Sequence, residues 1–297
     1  MIKISKKPIV RIIRWCVYSL VLLNVAPAYA LCAALSADEM AQALVWSGKP
    51  KLGNTYKVNS WYVQDGDSLS LANGHRLRLG QINTTEMATK ERPIQAYAQA
   101  AKNQLKQKLQ QQPALYLQLL PAMEDRYGRW LVKVYDGAGW SVEEFLVARG
   151  LAYTVSMGSV GAEDCLWQQE ATARIQKLGL WQHPISQVHG SNSLKPSVGG
   201  FLRMGGVVTD ISQSKHYWYI NLEGQVAVKM AKNMLATSGV RLTNSKQLQQ
   251  WVGRNITARG WLAWRKVSKK QQKKGYKAGV MTLYHIDMLE QSPALKH

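Results

Sequence analysis

The chain has 297 residues, enough for two modest domains, and a formal net charge of +20 at pH 7. The charge excess favours a polyanionic partner, either nucleic acid or an anionic envelope surface, although a solvated basic surface would give the same count. The six histidines are scattered, and the absence of any CxxC pattern or Cys/His cluster argues against a zinc protein.

Residues 1–30 have the pattern of an export signal. A basic stretch, which holds Lys3, Lys6, Lys7, Arg11 and Arg14, comes first. The apolar run from Cys16 to Val25 is about half the roughly 20 residues that a membrane span needs. Ala28-Tyr29-Ala30 then matches a signal-peptidase site. We predict an exported mature protein, periplasmic or secreted, without stable membrane insertion; an uncleaved anchor is the alternative, and the oligomeric state stays open.

Two cysteines, Cys32 and Cys165, remain after the predicted cleavage. An exported protein meets oxidising conditions, so one disulfide could tie the mature N-terminus to the body of the protein. Two unrelated thiols are the alternative, because a sequence does not supply the geometry of the bond. Residues 31–55 are predicted to be an N-terminal segment with a short helix over 37–45.

A strand-rich region begins near residue 56 and contains a predicted hairpin. Leucines alternate with polar residues at Leu69, Leu71, Leu77 and Leu79. Asn73-Gly74 lies between the two runs, and this pair predicts a two-residue type I′ turn with positive φ at both positions. The leucines then share one face, and Arg76 and Arg78 share the other.

Three helices and two further strands complete the predicted first module, residues 56–183. Apolar residues at three- and four-residue steps from Ile94 to Leu109 predict a helix with Pro93 in its first turn. Strands are predicted over 115–119 and 130–135. Ser141 is predicted to cap a short helix that ends before Gly150, and a third helix is predicted over 162–178.

Residues 184–199 are rich in Pro, Ser and Gly and are predicted to be a linker. Strands are then predicted over 206–211, 217–222, 226–230, 256–264 and 280–288, with a short helix between 239 and 251. Five strands with one helix suit a small closed OB-like barrel over residues 200–291. A sandwich-like β domain is the competing interpretation.

The segment from Asp65 to Glu86 offers parts for phosphodiester chemistry. Such a reaction must orient a hydroxide, neutralise the charge that builds up on phosphorus and hold the phosphate still. A hard cation bound by carboxylates such as Asp65 and Asp67 serves the first need and part of the second. The guanidinium groups of Arg78 and Arg129 suit the rest, because their planar donors match phosphate oxygens.

Three separated blocks of sequence resemble the staphylococcal (micrococcal) nuclease family over residues 58–182. The blocks are Asp65-Gly66-Asp67-Ser68, Arg78-Leu79-Gly80-Gln81-Ile82-Asn83-Thr84-Thr85-Glu86 and Asp125-Arg126-Tyr127-Gly128-Arg129. The resemblance implies a mainly β fold, an OB barrel with three packed helices, and a nuclease site that uses Ca²⁺, with Mg²⁺ or Mn²⁺ as alternatives.

The resemblance also implies a metal seat made by Asp67, the carbonyl of Thr84 and position 83. The family motif reads Asp-Thr-Pro-Glu where this chain reads Asn83-Thr84-Thr85-Glu86. Asn83 still offers an oxygen but removes one negative charge, and calcium affinity depends on the charge of the ligands. A weakened metal seat is therefore expected, and the missing proline is expected to loosen the loop.

Carried over by position, Glu86 would orient the attacking water, and Arg78 and Arg129 would hold the phosphate and stabilise the transition state. Tyr127 would line the nucleotide pocket. These assignments imply an exported nuclease that hydrolyses DNA or RNA. The alternative is an inactive protein that only binds nucleic acid or another polyanion, with Asn83 as the mark of decay.

The second module resembles a β-barrel found after nuclease-like domains in some exported bacterial proteins, on Gly206-Val207-Val208, Tyr219-Ile220-Asn221-Leu222 and Arg259-Gly260-Trp261-Leu262. The run 259–277 has eight Lys and Arg and no acid. Its candidate substrate-binding lysines are Lys269, Lys270, Lys273 and Lys274, and mere solvation is the alternative. Trp261 and Trp264 are interpreted as barrel core rather than as stacking platforms for bases.

Overall fold

The computed structural model describes residues 31–46, 49–157, 161–234 and 248–291. Its helices are α1 (Ala37–Ala41), α2 (Ala98–Gln110), α3 (Val142–Ala148), α4 (Asp164–Ile175) and α5 (Lys269–Lys273). The predicted signal, residues 1–30, and most of the helix predicted between 239 and 251 lie outside the described residues. Within the described residues, no helix has both the length and the apolar character that a membrane crossing requires.

The strands form two large sheets, one in each half of the chain, and a small two-stranded sheet. The strands of the first half are β1 (Leu44–Val45), β2 (Thr55–Val58), β3 (Trp61–Val63), β4 (Ser68–Leu71), β5 (Arg76–Leu79), β6 (Ile82–Asn83), β7 (Leu115–Glu124), β8 (Trp130–Tyr135) and β9 (Tyr153–Thr154). Those of the second half are β10 (Val188–Gly190), β11 (Gly200–Gln213), β12 (Tyr217–Leu222), β13 (Val226–Ala231), β14 (Asn255–Trp264), β15 (Gly279–Thr282) and β16 (Leu289–Gln291).

The first sheet curls into a barrel of OB type. Its order is β1-β2-β7-β8-β5-β4-β3, with β5 and β8 parallel. Strands β2 and β3 lie at opposite ends of the six-strand run β2-β7-β8-β5-β4-β3 but are separated in the chain only by Asn59 and Ser60. The sheet therefore has to bend until its ends meet, and leucines at 69, 77, 105, 115 and 117 fill the interior.

The second sheet closes outright, because β11 pairs with both β12 and β14. The order around this barrel is β11-β12-β13-β15-β14, with β13 and β15 parallel. If β2 and β3 are counted as one strand and β1 and β6 are left out, the first barrel has the strands 1 (β2 and β3), 2 (β4), 3 (β5), 4 (β7) and 5 (β8). Both barrels then have the same order of strands around the barrel, 1-2-3-5-4. The predicted mainly β architecture, a first OB barrel with helices and a second barrel, is confirmed.

Three local predictions are wrong in detail. The hairpin does not have a two-residue type I′ turn, because Leu71 N–H donates to His75 O and only Gly74 has positive φ (87°), which gives a three-residue loop. Helix α2 begins at Ala98, and Ile94 is 46% exposed, because residues 84–97 are held in a loop described below. The last predicted strand ends at Thr282, where a short 3-10 helix intervenes.

The segment predicted as a linker is partly structured. It contains a 3-10 helix, Pro184–Ser186, and strand β10, which pairs with β11 of the second barrel. The two tryptophans predicted to be barrel core, Trp261 and Trp264, are both partly buried and pack against the core of the second barrel. Trp264 donates its ring N–H to Val198 O (2.6 Å), and the ring of Trp261 lies against that of Phe201.

A disulfide joins Cys32 to Cys165, with Cα atoms 5.2 Å apart, so the first of the two alternatives for these cysteines holds. The bond ties the N-terminal segment to α4. The backbone N–H of Cys32 also donates to the buried carboxylate of Glu144 (3.2 Å) on α3. The residues before the first barrel are thus anchored to its helices.

The two modules share a buried charged junction. Arg259 of β14, only 1% exposed, donates to both carboxylate oxygens of Glu170 on α4 (2.7 Å each) and to Glu290 (2.7 Å). Its guanidinium also donates to the carbonyl of Thr154 on β9 (2.9 Å). A buried arginine left unpaired would be costly, so these contacts fix the second barrel to one face of the first module.

Candidate active site

Asp67 lies at the entrance to β4, and its position depends on Gly66. A Cβ at Gly66 would come within 2.7 Å of Thr84 Oγ1 and 2.8 Å of Ala101 Cβ, so only glycine allows this close packing. The approach brings the Asp67 carboxylate onto the next loop, where Oδ2 accepts the backbone N–H of Thr84 (2.7 Å). Asp67 is therefore a fixed and buried acid.

Arg78 on β5 faces Asp67, because it lies directly opposite Ser68 in the β4–β5 ladder. Its Nη1 is 2.5 Å from Asp67 Oδ2, and its Nη2 donates to Asn83 Oδ1 (2.9 Å). The prediction that Arg78 lies on the face opposite the hairpin leucines is consistent with this arrangement. That face is not solvent, however, since Arg78 is as buried as Asp67.

Arg129 reaches the same place from the turn before β8, the strand that pairs with β5. The turn before it is built by Asp125, whose carboxylate accepts the backbone N–H groups of Tyr127 (2.8 Å) and Arg129 (3.0 Å) and the Nε–H of Arg129 (2.8 Å). Burial raises the pKa of Asp125, but these bonds and the arginine charge outweigh it, so the pKa lies below its ordinary value. Asp125 thus stays ionised and aims Arg129.

Ser68 joins these groups into one network. Its hydroxyl accepts a hydrogen bond from Arg129 Nη1 (3.0 Å) and donates to Asp67 Oδ1 (3.2 Å). The chain of contacts therefore runs from Arg129 through Ser68 and Asp67 to Arg78. Ser68 was not among the predicted site residues, although its place next to Asp67 and across from Arg78 in the hairpin was a usable signal.

Glu86 is exposed at the edge of this network, on a loop that is held in shape. Its backbone N–H donates to Gln95 Oε1 (2.7 Å), and its carbonyl accepts the N–H of Gln95 (3.0 Å). The hydroxyl of Thr85, at the position where the family has proline, donates to Ala96 O (2.7 Å). These bonds offset the expected loosening and explain why α2 starts late.

The electrostatics of the site centre on Asp67. Burial raises its pKa to about 6, Arg78 and the N–H of Thr84 oppose the rise, and the charges of Asp65 and Glu86 add to it. Four acids, Asp65, Asp67, Glu86 and Asp125, lie in or near this network with two arginines, Arg78 and Arg129, so the local charge is negative, which favours a cation.

Tyr127 is 56% exposed, and its ring centroid is 5.6 Å from the Arg129 guanidinium carbon. The ring can therefore stack on a base beside the phosphate that Arg129 would hold. The four candidate lysines on α5 belong to the second barrel and make no described contact with Asp67, Arg78 or Arg129. They are a separate feature of the protein.

The oxygen-only donor set and its negative charge fit a hard divalent cation, with Asp67 as the anchor. Asn83 and Thr84 contribute less freely, because Asn83 Oδ1 accepts from Arg78 and Asn83 Nδ2 donates to Thr84 O (3.0 Å). Among the described residues, the one cluster of three His, Cys, Asp or Glu donor atoms within 4.8 Å is Cys32, Glu163 and Cys165, whose sulfurs are already bonded. Asp65, Asp67 and Glu86 do not form such a cluster among the described residues, so a cation at Asp67 would have to complete its shell largely with water and substrate oxygens.

The floor of the site continues into the junction with the second barrel. Strand β6, which carries Asn83, pairs with β9 so that Asn83 faces Tyr153 and Ile82 faces Thr154. On its other side β9 is held by Arg259, through the carbonyl of Thr154. Arg259 was predicted only as the first residue of a basic run, and a run of charges gives no signal of burial.

The first barrel and its packed helices define an OB domain. Residues 76–183 match the family model described as staphylococcal nuclease homologue. The chain therefore carries a domain of the staphylococcal nuclease family, and the predicted resemblance is confirmed for this module. The match does not extend to the second barrel, and no curated protein matches the chain.

Proposed function

We propose that the protein is an exported, cation-dependent phosphodiesterase that hydrolyses DNA or RNA in its first barrel. The observation that carries the proposal is the continuous network from Arg129 through Ser68 and Asp67 to Arg78, with Glu86 at its open edge. Two guanidinium groups and an acid that meet across four elements of the fold are what phosphoryl chemistry requires.

Arg78 and Arg129 would bind the phosphate. Each guanidinium has five N–H donors, and Arg129 spends its Nε and Nη2 on Asp125, which leaves Nη1 pointing towards Ser68 and the site. These donors are held in place before the substrate arrives, so they cost little reorganisation when charge builds up on phosphorus. Tyr127 would then pack on the adjoining base.

Glu86 would accept a proton from, or orient, the attacking water. Its exposure suits a group that must reach solvent, and the bonds from Gln95 and Thr85 keep its backbone in one place. A Ca²⁺ ion bound near Asp67, with Mg²⁺ or Mn²⁺ as alternatives, would supply positive charge to the phosphate and to the water. Asp67 cannot serve while it is protonated, so its raised pKa disfavours activity in acid.

Cation binding should be weak, because the Asn83 side chain engages Arg78 and Thr84 instead of offering a carboxylate. Asn83→Asp would restore the charge and should lower the metal concentration needed for half-maximal cleavage by roughly tenfold or more. Export is part of the proposal, and two observations support it: the signal-like pattern of residues 1–30 and the Cys32–Cys165 disulfide, a bond typical of oxidising compartments.

The test is cleavage of a plasmid and of single-stranded oligonucleotides by the mature chain, over a titration of Ca²⁺, Mg²⁺ and Mn²⁺. Glu86→Gln should slow cleavage by roughly 100-fold or more, with unchanged thermal unfolding. Glu91→Gln is the matched control, because Glu91 is also exposed on the loop that precedes α2. No cleavage by the wild-type chain with any of the three metals would favour the binding-only alternative, and equal rates for both variants would refute the assignment of Glu86.

A further inference from the structure

The positive charge of the chain is concentrated in the second barrel. Residues 200–291 hold fifteen Lys and Arg against four Asp and Glu, whereas residues 31–199 hold seventeen against fourteen. A nuclease site in the first barrel does not need this excess. The charges of the second barrel therefore call for their own explanation.

Much of this charge lies on one loop, residues 265–278 between β14 and β15, which we call the basic arm. Its basic residues are Arg265, Lys266, Lys269, Lys270, Lys273, Lys274 and Lys277. No ion pair among the described residues uses any of them, although arginines elsewhere in the fold are paired with acids. The charges of the basic arm are thus available to a partner.

The sequence builds the basic arm as an ordered element. Ser268 caps α5 by accepting the N–H of Gln271, while the Gln271 side chain accepts the N–H of Ser268. Two pairs of lysines, 269 with 273 and 270 with 274, then lie four residues apart on the helix. Like charges at this spacing repel each other, and a bound polyanion would relieve the repulsion.

A second basic group lies at the other end of β12 and β13. Lys215, Lys232 and His216 surround an open pocket whose wall is the exposed ring of Tyr217. Lys232 Nζ is 4.6 Å from the centroid of Trp218, and Lys229 Nζ is 4.8 Å from that of Tyr217. The pocket therefore combines cations with aromatic rings.

The outer face of β12 and β13 connects these two ends. Tyr217 pairs with Ala231 and Tyr219 with Lys229, so two tyrosines and a lysine point outward along the strands. Lys277 Nζ donates to Gly224 O (2.8 Å), which places the basic arm beside the β12–β13 turn, where Tyr276 is 51% exposed. Two acids, Asp210 and Glu223, lie near this end, and Asp210 faces Lys277.

We infer that this face of the second barrel binds single-stranded nucleic acid, which would run along β12 and β13 from the basic arm to the pocket at Tyr217. A six-residue strand spans about 20 Å, and OB folds bind about 4 to 16 nucleotides. The lysines meet phosphates, and the tyrosines give bases a surface on which to stack. The inference deepens the proposed function, because it names the form of the substrate that the nuclease domain would receive.

The experiment measures binding without cleavage. The mature chain with Glu86→Gln is titrated, in EDTA, with a fluorescent 12-nucleotide single strand, with the matching duplex and with vesicles of anionic phospholipid. Changing Lys269, Lys270, Lys273 and Lys274 to Glu should weaken single-strand binding by roughly 30-fold or more. It should also reduce the slope of log K against log salt by about 3.

The matched control changes four exposed lysines outside the second barrel, Lys49, Lys51, Lys57 and Lys106, to Glu, so that the net charge falls equally. Its binding should change by less than about threefold, and Tyr276→Ala or Tyr217→Ala should weaken single-strand binding by roughly fivefold or more without affecting the duplex. Equal losses in both quadruple variants, duplex binding as tight as single-strand binding, or preferential binding to vesicles would each overturn the inference. Because the assay needs no catalysis, the binding result can be interpreted even if the nuclease proposal fails.

Discussion

The two barrels of this chain share one order of strands and differ in how they use charge. In the first barrel, Arg78 and Arg129 are each paired with a carboxylate and lie around one space. In the second barrel, the lysines of the basic arm lie on the outside without described acidic partners. The same scaffold thus presents a fixed site in one module and an open charged surface in the other.

This difference separates two jobs that nucleic acids impose on proteins. Chemistry at one phosphate needs few donors at fixed distances, which pairing with Asp67 and Asp125 supplies. Retention of a strand needs many charges and tolerates mobility, because each phosphate contact adds to affinity independently of sequence. The side chains on each barrel, and not the barrel fold itself, determine which of these two functions it can serve.

The largest predicted effect is at the buried junction between the two barrels, and it tests whether they form one joined structure. Arg259→Met should lower the free energy of unfolding by about 3 kcal/mol, because it removes the most buried cation of the junction and leaves Glu170 and Glu290 only the partly exposed Arg174 and Arg203. Cleavage should also fall, since β9 supports the strand that carries Asn83. Urea unfolding and cleavage rates of the mature chain measure both effects.

Arg254→Met is the control for the junction, because Arg254 is exposed next to the same strand. It should change the free energy of unfolding by less than about 0.5 kcal/mol. If Arg259→Met also left unfolding unchanged, or if the first barrel unfolded separately with its activity intact, the modules would be independent units rather than one joined structure.

A smaller effect is predicted for Arg129 in the first barrel, and it separates cleavage from strand binding. Arg129→Lys should slow cleavage by roughly 100-fold, because an ammonium cannot donate to Asp125, Ser68 and a phosphate from one plane. Single-stranded oligonucleotide binding in EDTA should change little, since the second barrel provides most of it. Arg126→Lys, at an exposed neighbour, should cut at the wild-type rate. A similar loss in both variants would mean that the effect is not specific to the position of Arg129.

The third effect concerns one buried carboxyl in each module. Burial raises the pKa of Glu143 on α3 to about 8. Burial also raises that of Glu290, but Arg203 and Arg259 outweigh it, and its pKa lies below the ordinary value. Glu143 therefore holds its proton in the folded state while an unfolded chain releases it above pH 4.5.

The free energy of unfolding should accordingly fall as pH rises from 5 to 8, by up to about 1.4 kcal/mol per pH unit from this group. Glu143→Gln should flatten the profile in that window, because the amide does not titrate. Urea unfolding at several pH values gives the profile. An unchanged slope in the variant would assign the pH dependence to other groups.

The sequence predicted features that depend on contacts between residues close together in the chain, and it missed features that depend on contacts between distant residues. The Ser141 cap of α3 and the bounds of strand β8 were predicted well, because a helix cap and a short run of apolar residues are local features of the sequence. The start of α2 was missed, since the bonds that hold Glu86 and Thr85 to Gln95 and Ala96 bridge about ten residues and override helical periodicity.

The site shows the same division. Asp67, Arg78, Glu86 and Arg129 were selected by family order, and their common position rests on sheet pairing that periodicity alone does not reveal. Arg259 was placed in a basic run, whereas it is among the most buried residues of the chain. Its partners on α4 and β16 come from two distant parts of the sequence, so no local pattern marks it.

The central claim, that the first barrel cuts and the second retains the strand, is tested most directly by measuring dissociation constant and single-turnover rate on one fluorescent oligonucleotide. Glu86→Gln should lower the rate by roughly 100-fold and leave the dissociation constant unchanged. The quadruple Lys→Glu change in the basic arm should raise the dissociation constant and leave the rate at saturation within about twofold. The account would be contradicted if the rate fell and the dissociation constant rose together in either variant, or if neither quantity changed.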